Sequence, residues 1–119
     1  GCICVVVFII SLLLVGMQSP WSPDFKTEAL TTKNIKVKNP GVQIQMGVTL
    51  FYSKGCQYCH KINGYGGSKG PDLTLIGRTL TAGQMEIRIV NGAANMPAYG
   101  GILKKEEMNA IIAFLASQQ

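Results

Sequence analysis

Cys56-Gln57-Tyr58-Cys59-His60 decides how this chain is read. Two thiols three positions apart, with an imidazole directly after the second, have the C-x-x-C-H form of a c-type haem attachment signature. The spacing has a mechanical sense. Each thiol can bond one vinyl carbon of the same porphyrin, and the adjacent His60 then presents its imidazole to the iron from one face. C-x-x-C by itself also occurs in zinc sites and redox dithiols. A structural zinc site needs four ligands, usually completed by a second Cys or His pair. His60 is the only His in 119 residues, and the other two cysteines, Cys2 and Cys4, lie in a separate apolar segment. A thioredoxin-like dithiol needs a strand-helix-strand setting, and no strand pattern surrounds this motif.

A six-coordinate haem iron takes a second axial ligand. With no second His, Met and Lys remain. Methionines stand at 17, 46, 85, 96 and 108. Met17 belongs to the apolar N-terminal segment, and Met46, Met85 and Met108 fall on apolar helix faces, where they read as core filling. Met96 alone lies in a loop, Asn95-Met96-Pro97-Ala98-Tyr99, and is the expected second ligand.

Outward from the motif, three helices are expected. Val42 to Lys54 places Val42, Met46, Leu50 and Phe51 on one face and stops at Gly55, a favoured helix end. Thr81 to Asn91 opens on a capping box, Thr81 with Gln84, and carries Met85, Ile89 and Val90. Lys104 to Ser117 has Glu106 and Glu107 in its first turn, as the macrodipole prefers, and a face of Met108, Ile111, Ile112 and Leu115 with Phe114 alongside. Gly-rich loops, Asn63 to Gly77 and Gly92 to Gly101, separate them. Structureless loops of that length need a reason, and wrapping a large flat cofactor supplies one. The fold class is all-α.

Residues 44 to 118 resemble a class I cytochrome c, on three elements in the family's order: Cys56 to His60, Gly70-Pro71-Asp72-Leu73, and Met96-Pro97-Ala98-Tyr99. The resemblance implies a small fold of three main helices plus haem-wrapping loops, with one covalent haem c. It also implies that Gly47 and Phe51 pack near Ala110 and Phe114, and that the carbonyl of Pro71 accepts a hydrogen bond from His60, orienting it. Arg78, as a partner for a haem propionate, and Tyr99 are further cofactor-binding candidates. His60 and Met96 are the metal-ligand candidates. Among known proteins, the pattern is similar to cytochrome c subunits of bacterial respiratory or photosynthetic electron-transfer complexes.

Ahead of this domain, Gly1 to Ser19 is almost wholly apolar. Nineteen helical residues reach about 28 Å, near the roughly 30 Å hydrocarbon thickness, and no polar stripe marks a buried core helix. A cleaved signal peptide is disfavoured: there is no basic n-region and no small-x-small site. The expectation is one N-terminal transmembrane helix, 1–19, a tether, 20–41, and the cytochrome c domain, 42–119. Trp21 suits an interfacial belt. Cys2 and Cys4 read as ordinary apolar positions, with lipidation the weaker alternative. The segment carries no flanking Lys or Arg, so charge cannot orient it.

The net charge is +5, from 11 Lys and Arg against 6 Asp and Glu, and all the basic residues lie beyond position 25. A solvated surface is the plain reading, and attraction to an acidic partner or anionic membrane the sharper one. The basic residues do not cluster with aromatics, which excludes nucleic acid as a partner. With both axial positions filled, there is no open iron for oxygen or peroxide, and the expectation is an electron carrier rather than an enzyme. It is expected in the cytoplasmic, energy-transducing membrane, with the haem domain on the outer, periplasmic side. The favoured role is a subunit of a quinol-oxidising or terminal-oxidase membrane complex. The alternatives are a free tethered shuttle between a donor and an acceptor redox protein, and a haem enzyme or sensor in which Met96 lets go.

Overall fold

The end of the first domain helix sets the geometry of everything after it. In a computed structural model that describes residues 1–18 and 28–119, the N-terminal helix α1 covers Cys2–Gln18 and the first domain helix, α2, covers Val42–Ser53. The Lys54 N–H closes α2 onto the Leu50 carbonyl at 2.8 Å, and Gly55 follows at φ 87°, a left-handed conformation that costs glycine little. The chain thus reverses directly into a one-turn helix, α3, Cys56–Cys59. Four residues carry no periodicity, so the sequence pattern does not mark this turn.

Two further helices complete the scaffold, α4 at Ala82–Asn91 and α5 at Lys105–Ala116. The capping box of α4 is formed: Gln84 N–H donates to Thr81 Oγ1 at 3.2 Å, and Thr81 N–H to Gln84 Oε1 at 2.9 Å. At the start of α5, Lys104 N–H donates to Glu107 Oε1 at 2.9 Å.

The core is a packing of α2 on α5. Phe51, Ala110 and Phe114 are wholly buried, and the two rings meet edge to face with centroids 5.7 Å apart. Gly47 lets the helices touch. A Cβ there would stand 2.6 Å from Phe114 Cβ and run into the Ala110 carbonyl. Met108, Ile111, Ile112 and Leu115 are buried as the periodicity of α5 predicts. The apolar face expected of α2 needs correcting. Val42 is 82% exposed and Met46 39% exposed, whereas Gly47, Val48, Leu50 and Phe51 are buried. A glycine contact and a β-branched neighbour define this face, so counting large apolar residues misplaces it. Val90, expected on the buried face of α4, is likewise exposed.

Among the described residues there is no strand, but two isolated bridges pinch the loops, Ile62 with Tyr65 and Ala93 with Met96. Asn63 and Gly64, both at positive φ, form the two-residue turn of the first. Single turns of 3-10 helix lie at Thr32–Asn34 and Ile76–Arg78.

The segment read as a tether divides. Residues 19–27 lie outside the described residues, and with them the expected interfacial Trp21. From Glu28 onward the chain is docked on the domain, with Leu30 and Ile35 in its core. The N-terminal segment is helical as expected, but α1 has 17 residues, about 25 Å of rise. No helix among the described residues is long and apolar enough to cross a membrane. The expected span over 1–19 runs past Gln18, beyond which residues 19–27 lie outside the described part, and the described part does not show it.

Candidate haem site

The α3 turn presents Cys56, Cys59 and His60 to one cavity of about 510 Å³. His60 N–H bonds the Cys56 carbonyl at 3.0 Å and the chain then extends, which turns the imidazole out of the helix. His60 Nδ1 lies 2.8 Å from the Pro71 carbonyl. A carbonyl only accepts, so Nδ1 carries the proton and Nε2 keeps its lone pair for a metal. This is the contact the resemblance implied.

The loop from Asn63 to Gly77 is laid against the motif backbone. Gly67 N–H reaches the Gln57 carbonyl at 3.0 Å, Gly70 N–H the Cys59 carbonyl at 2.8 Å, and Leu73 N–H the Lys61 carbonyl at 2.8 Å. Gly70 lies against the imidazole itself: a Cβ there would be 2.7 Å from His60 Cε1 and 2.9 Å from Nδ1. The ring is thus held by a hydrogen bond and by backbone contact.

Met96 lines the same cavity from the loop that follows α4. Ala93 N–H donates to the Met96 carbonyl at 3.0 Å and Met96 N–H to the Ala93 carbonyl at 3.1 Å. Gly92, at φ 69°, makes the bend, and a Cβ there would meet Pro97 and Ala98 backbone within 2.9 Å. Tyr99 closes the loop twice. Its N–H bonds the Ile89 carbonyl at 2.9 Å, and its hydroxyl donates to the Lys54 carbonyl at 2.8 Å, beside the α2–α3 reversal. Tyr99 therefore ties the methionine loop to the cysteine turn. Burial, ahead of the neighbouring Cys56 and Cys59, holds its hydroxyl above the ordinary tyrosine range.

The rest of the wall is apolar, including Phe51, Leu80, Met85, Ile111 and Leu115. Burial, reinforced by Cys59, pushes the Cys56 thiol up to about 11, so it stays protonated near neutral pH. Redox dithiols work through a lowered thiol pKa. Among the described residues, no group of three or more Cys, His, Asp or Glu could hold a metal ion, which leaves a zinc site without its ligands. An apolar-walled cavity with two thiols, one free imidazole nitrogen and one thioether fits a covalently held haem.

Of the sequence-predicted site residues, Cys56, Cys59, His60, Pro71, Met96 and Tyr99 meet at the cavity, and Arg78 does not. It is exposed on the 3-10 turn at Ile76–Arg78, outside the wall. Lys69 and Arg88, absent from the sequence-predicted site, are the two basic residues that line the cavity. Arg88 could have been found, for it falls three positions after Met85 and one before Ile89, on the cavity side of α4. Lys69, in a glycine-rich loop, carried no such signal; its Nζ sits 4.9 Å from the Tyr58 ring centroid.

Fold and site together define a class I c-type cytochrome, whose cofactor is covalently bound haem c. Residues 44–115 match the family model described as cytochrome c oxidase, cbb3-type, subunit III. That match covers more than half of the chain, and the chain belongs to this family. Among solved structures, it is similar to the c-type cytochrome SorU from Sinorhizobium meliloti. Identity is 25% and the TM-score 0.55, over 64% of this chain and 90% of that one. No curated protein is matched. Haem-based electron transfer is the activity that the family implies.

Proposed function

We propose that this protein is a membrane-attached electron carrier with one His60- and Met96-ligated haem, working as a subunit of a terminal-oxidase or quinol-oxidising complex. One observation carries the ligation: among the described residues, the only histidine and a loop methionine line the cavity that also receives both motif cysteines. Cys56 and Cys59 hold the group covalently. Pro71 fixes the His60 tautomer, which makes Nε2 the donor. Bound there, haem supplies a one-electron iron couple, and His and Met ligation places such a couple at relatively high potential. The apolar wall excludes water, which favours the less charged reduced state. Arg88 and Lys69 are the cations available to propionates.

The role within a complex is supported by the oxidase subunit named in the family description. Attachment through α1 is supported by its composition. Its side chains from Ile3 to Leu14 include ten large apolar groups between 49% and 80% exposed, and its one polar hydroxyl, Ser11, is satisfied by the Val7 carbonyl at 2.9 Å. Such a surface calls for lipid or another apolar helix. We place the haem domain on the outer, periplasmic side of the cytoplasmic membrane, where haem is attached to this motif.

The test is an optical spectrum of wild type and Met96→Ala, with haem staining on a denaturing gel. Haem that survives denaturation, together with a methionine-to-iron band lost only in the variant, is the expected result. No haem on the denatured chain would overturn covalent attachment. A wild type that lacks the band and binds carbon monoxide freely would favour an enzyme or sensor. Co-purification in mild detergent separates a complex subunit from a free shuttle.

A further inference from the structure

Gln57, between the two attachment cysteines, is among the largest side chains with essentially no exposure, at 1%. Neither the haem chemistry nor the helix packing requires an amide there. Both ends of that amide are used. Its Oε1 accepts from Leu30 N–H at 2.9 Å, and its Nε2 donates to the Glu28 carbonyl at 2.9 Å, 29 residues away in sequence. Leu30 and Ile35 are buried in the core, and Val37 packs against it. A second clasp lies just past His60: Asn63 Nδ2 donates to the Asn34 carbonyl at 2.7 Å. The haem-attachment turn is thus bonded, on both sides of His60, to the stretch that arrives from α1.

We propose that residues 28–37 form a strap latched by Gln57 and Asn63 to the haem-attachment turn, and that the latch keeps the haem domain on a short leash. The second half of this rests on the proposed membrane attachment of α1. With the strap closed, only residues 19–27 separate α1 from the domain. Ten Cα steps, from Gln18 to Glu28, reach at most about 35 Å in any conformation, whereas release back to Val42 would allow about 80 Å. A carrier held this close serves a redox partner lying beside its own anchor.

The test uses the full haem-loaded chain and the variants Gln57→Ala and Asn63→Gly. Glycine at 63 tolerates the positive φ of that position while removing its clasp. Haem staining and the Soret spectrum report that both variants fold. Hydrogen exchange at the Leu30 amide reads the latch directly. Loss of the Gln57 bonds is expected to speed it on the order of tenfold to a hundredfold. Quenching by the haem of a headgroup-linked dye in phosphatidylcholine vesicles reads the reach, and it is expected to fall clearly once both clasps and the buried anchor are removed together, in a Gln57→Ala, Asn63→Gly and Leu30→Ser combination. Unchanged Leu30 exchange in Gln57→Ala overturns the latch. Faster exchange with unchanged quenching in the combination overturns the leash. A wild type that does not bind vesicles sinks the anchor reading and the leash with it, while the exchange result still decides the latch.

Discussion

The α2–α5 packing and the haem-facing loops solve different problems with different means. At the packing, Phe51, Ala110 and Phe114 fill space completely around Gly47, and side chains carry the energy. Around the cavity, glycines at 66, 67, 70 and 92 lie so close to neighbouring backbone or to His60 that a Cβ would collide, and hydrogen bonds hold the chain. The first region is a core in the ordinary sense. The second is a mould whose missing volume the cofactor occupies. The difference teaches where a substitution should strike: stability in one, ligand geometry in the other.

Gly47→Ala is expected to have the largest effect. The added methyl meets a helix carbonyl and a ring-bearing Cβ, neither of which yields cheaply, and overpacking of this severity costs about 3 kcal/mol. In a domain of this size that lowers the melting temperature by more than about 10 °C. Calorimetry of the haem-loaded protein would show it, with the visible spectrum of the folded fraction unchanged. Gly70→Ala should do the reverse. Its methyl would press on His60 Cε1 and Nδ1, and tilting the ring to escape weakens the bond to Pro71. We expect a stability loss of about 1–2 kcal/mol and a clear change in reduction potential and axial-ligand spectrum. If Gly70→Ala melted the helices while leaving the potential alone, the division between core and mould would be broken.

How much of this was legible in the sequence follows the same division. The helices were readable because their signals are local: the Thr81–Gln84 box, Glu106 and Glu107 at a helix start, Gly55 at a helix end. The attachment motif and Met96 were readable because chemistry leaves few candidates. The strap was not, because Leu30, Ile35 and Val37 pack by long-range contact, and ten residues with one short alternation carry no period. Gln57 was invisible for a related reason. A polar residue inside a motif reads as solvated until the carbonyl and amide that it serves, almost thirty positions earlier, are brought to it. Arg78 does not line the cavity; the resemblance places cations near propionates without saying which helix face supplies them.

Tyr99→Phe sharpens the comparison at smaller scale, since the hydroxyl is the strut between the two halves of the mould. Losing its bond to the Lys54 carbonyl should cost about 1 kcal/mol. The pH dependence carries the sign. Burial raises the folded-state pKa of Tyr99 above its unfolded value near 10, so its contribution is whole below about pH 10 and is lost as pH rises through the raised value. Denaturant melts from pH 8 upward should therefore show wild type losing its advantage over the variant in the alkaline range, and not before it.

Asp72 offers the weakest and most discriminating case. Its carboxylate accepts from the Thr74 hydroxyl at 2.5 Å and from the Thr74 N–H at 2.9 Å, and the hydroxyl bond is the chief reason its pKa is held below the ordinary value. The lowered pKa stabilises the fold above the unfolded value near 3.9, and that contribution fades as pH falls through the lowered one. The group is largely exposed, so solvent screens it, and Thr74→Val should cost no more than about 0.5 kcal/mol at neutral pH. The variant's deficit should shrink in melts between pH 5 and 2. Thr74 also receives the Asn63 N–H on its hydroxyl at 3.0 Å, next to the strap's second clasp. A loss several times larger, persisting at low pH, would mean that this hydroxyl anchors the loop beneath the strap through Asn63 rather than through charge. The mould would then draw its stability from the strap as well as from the haem.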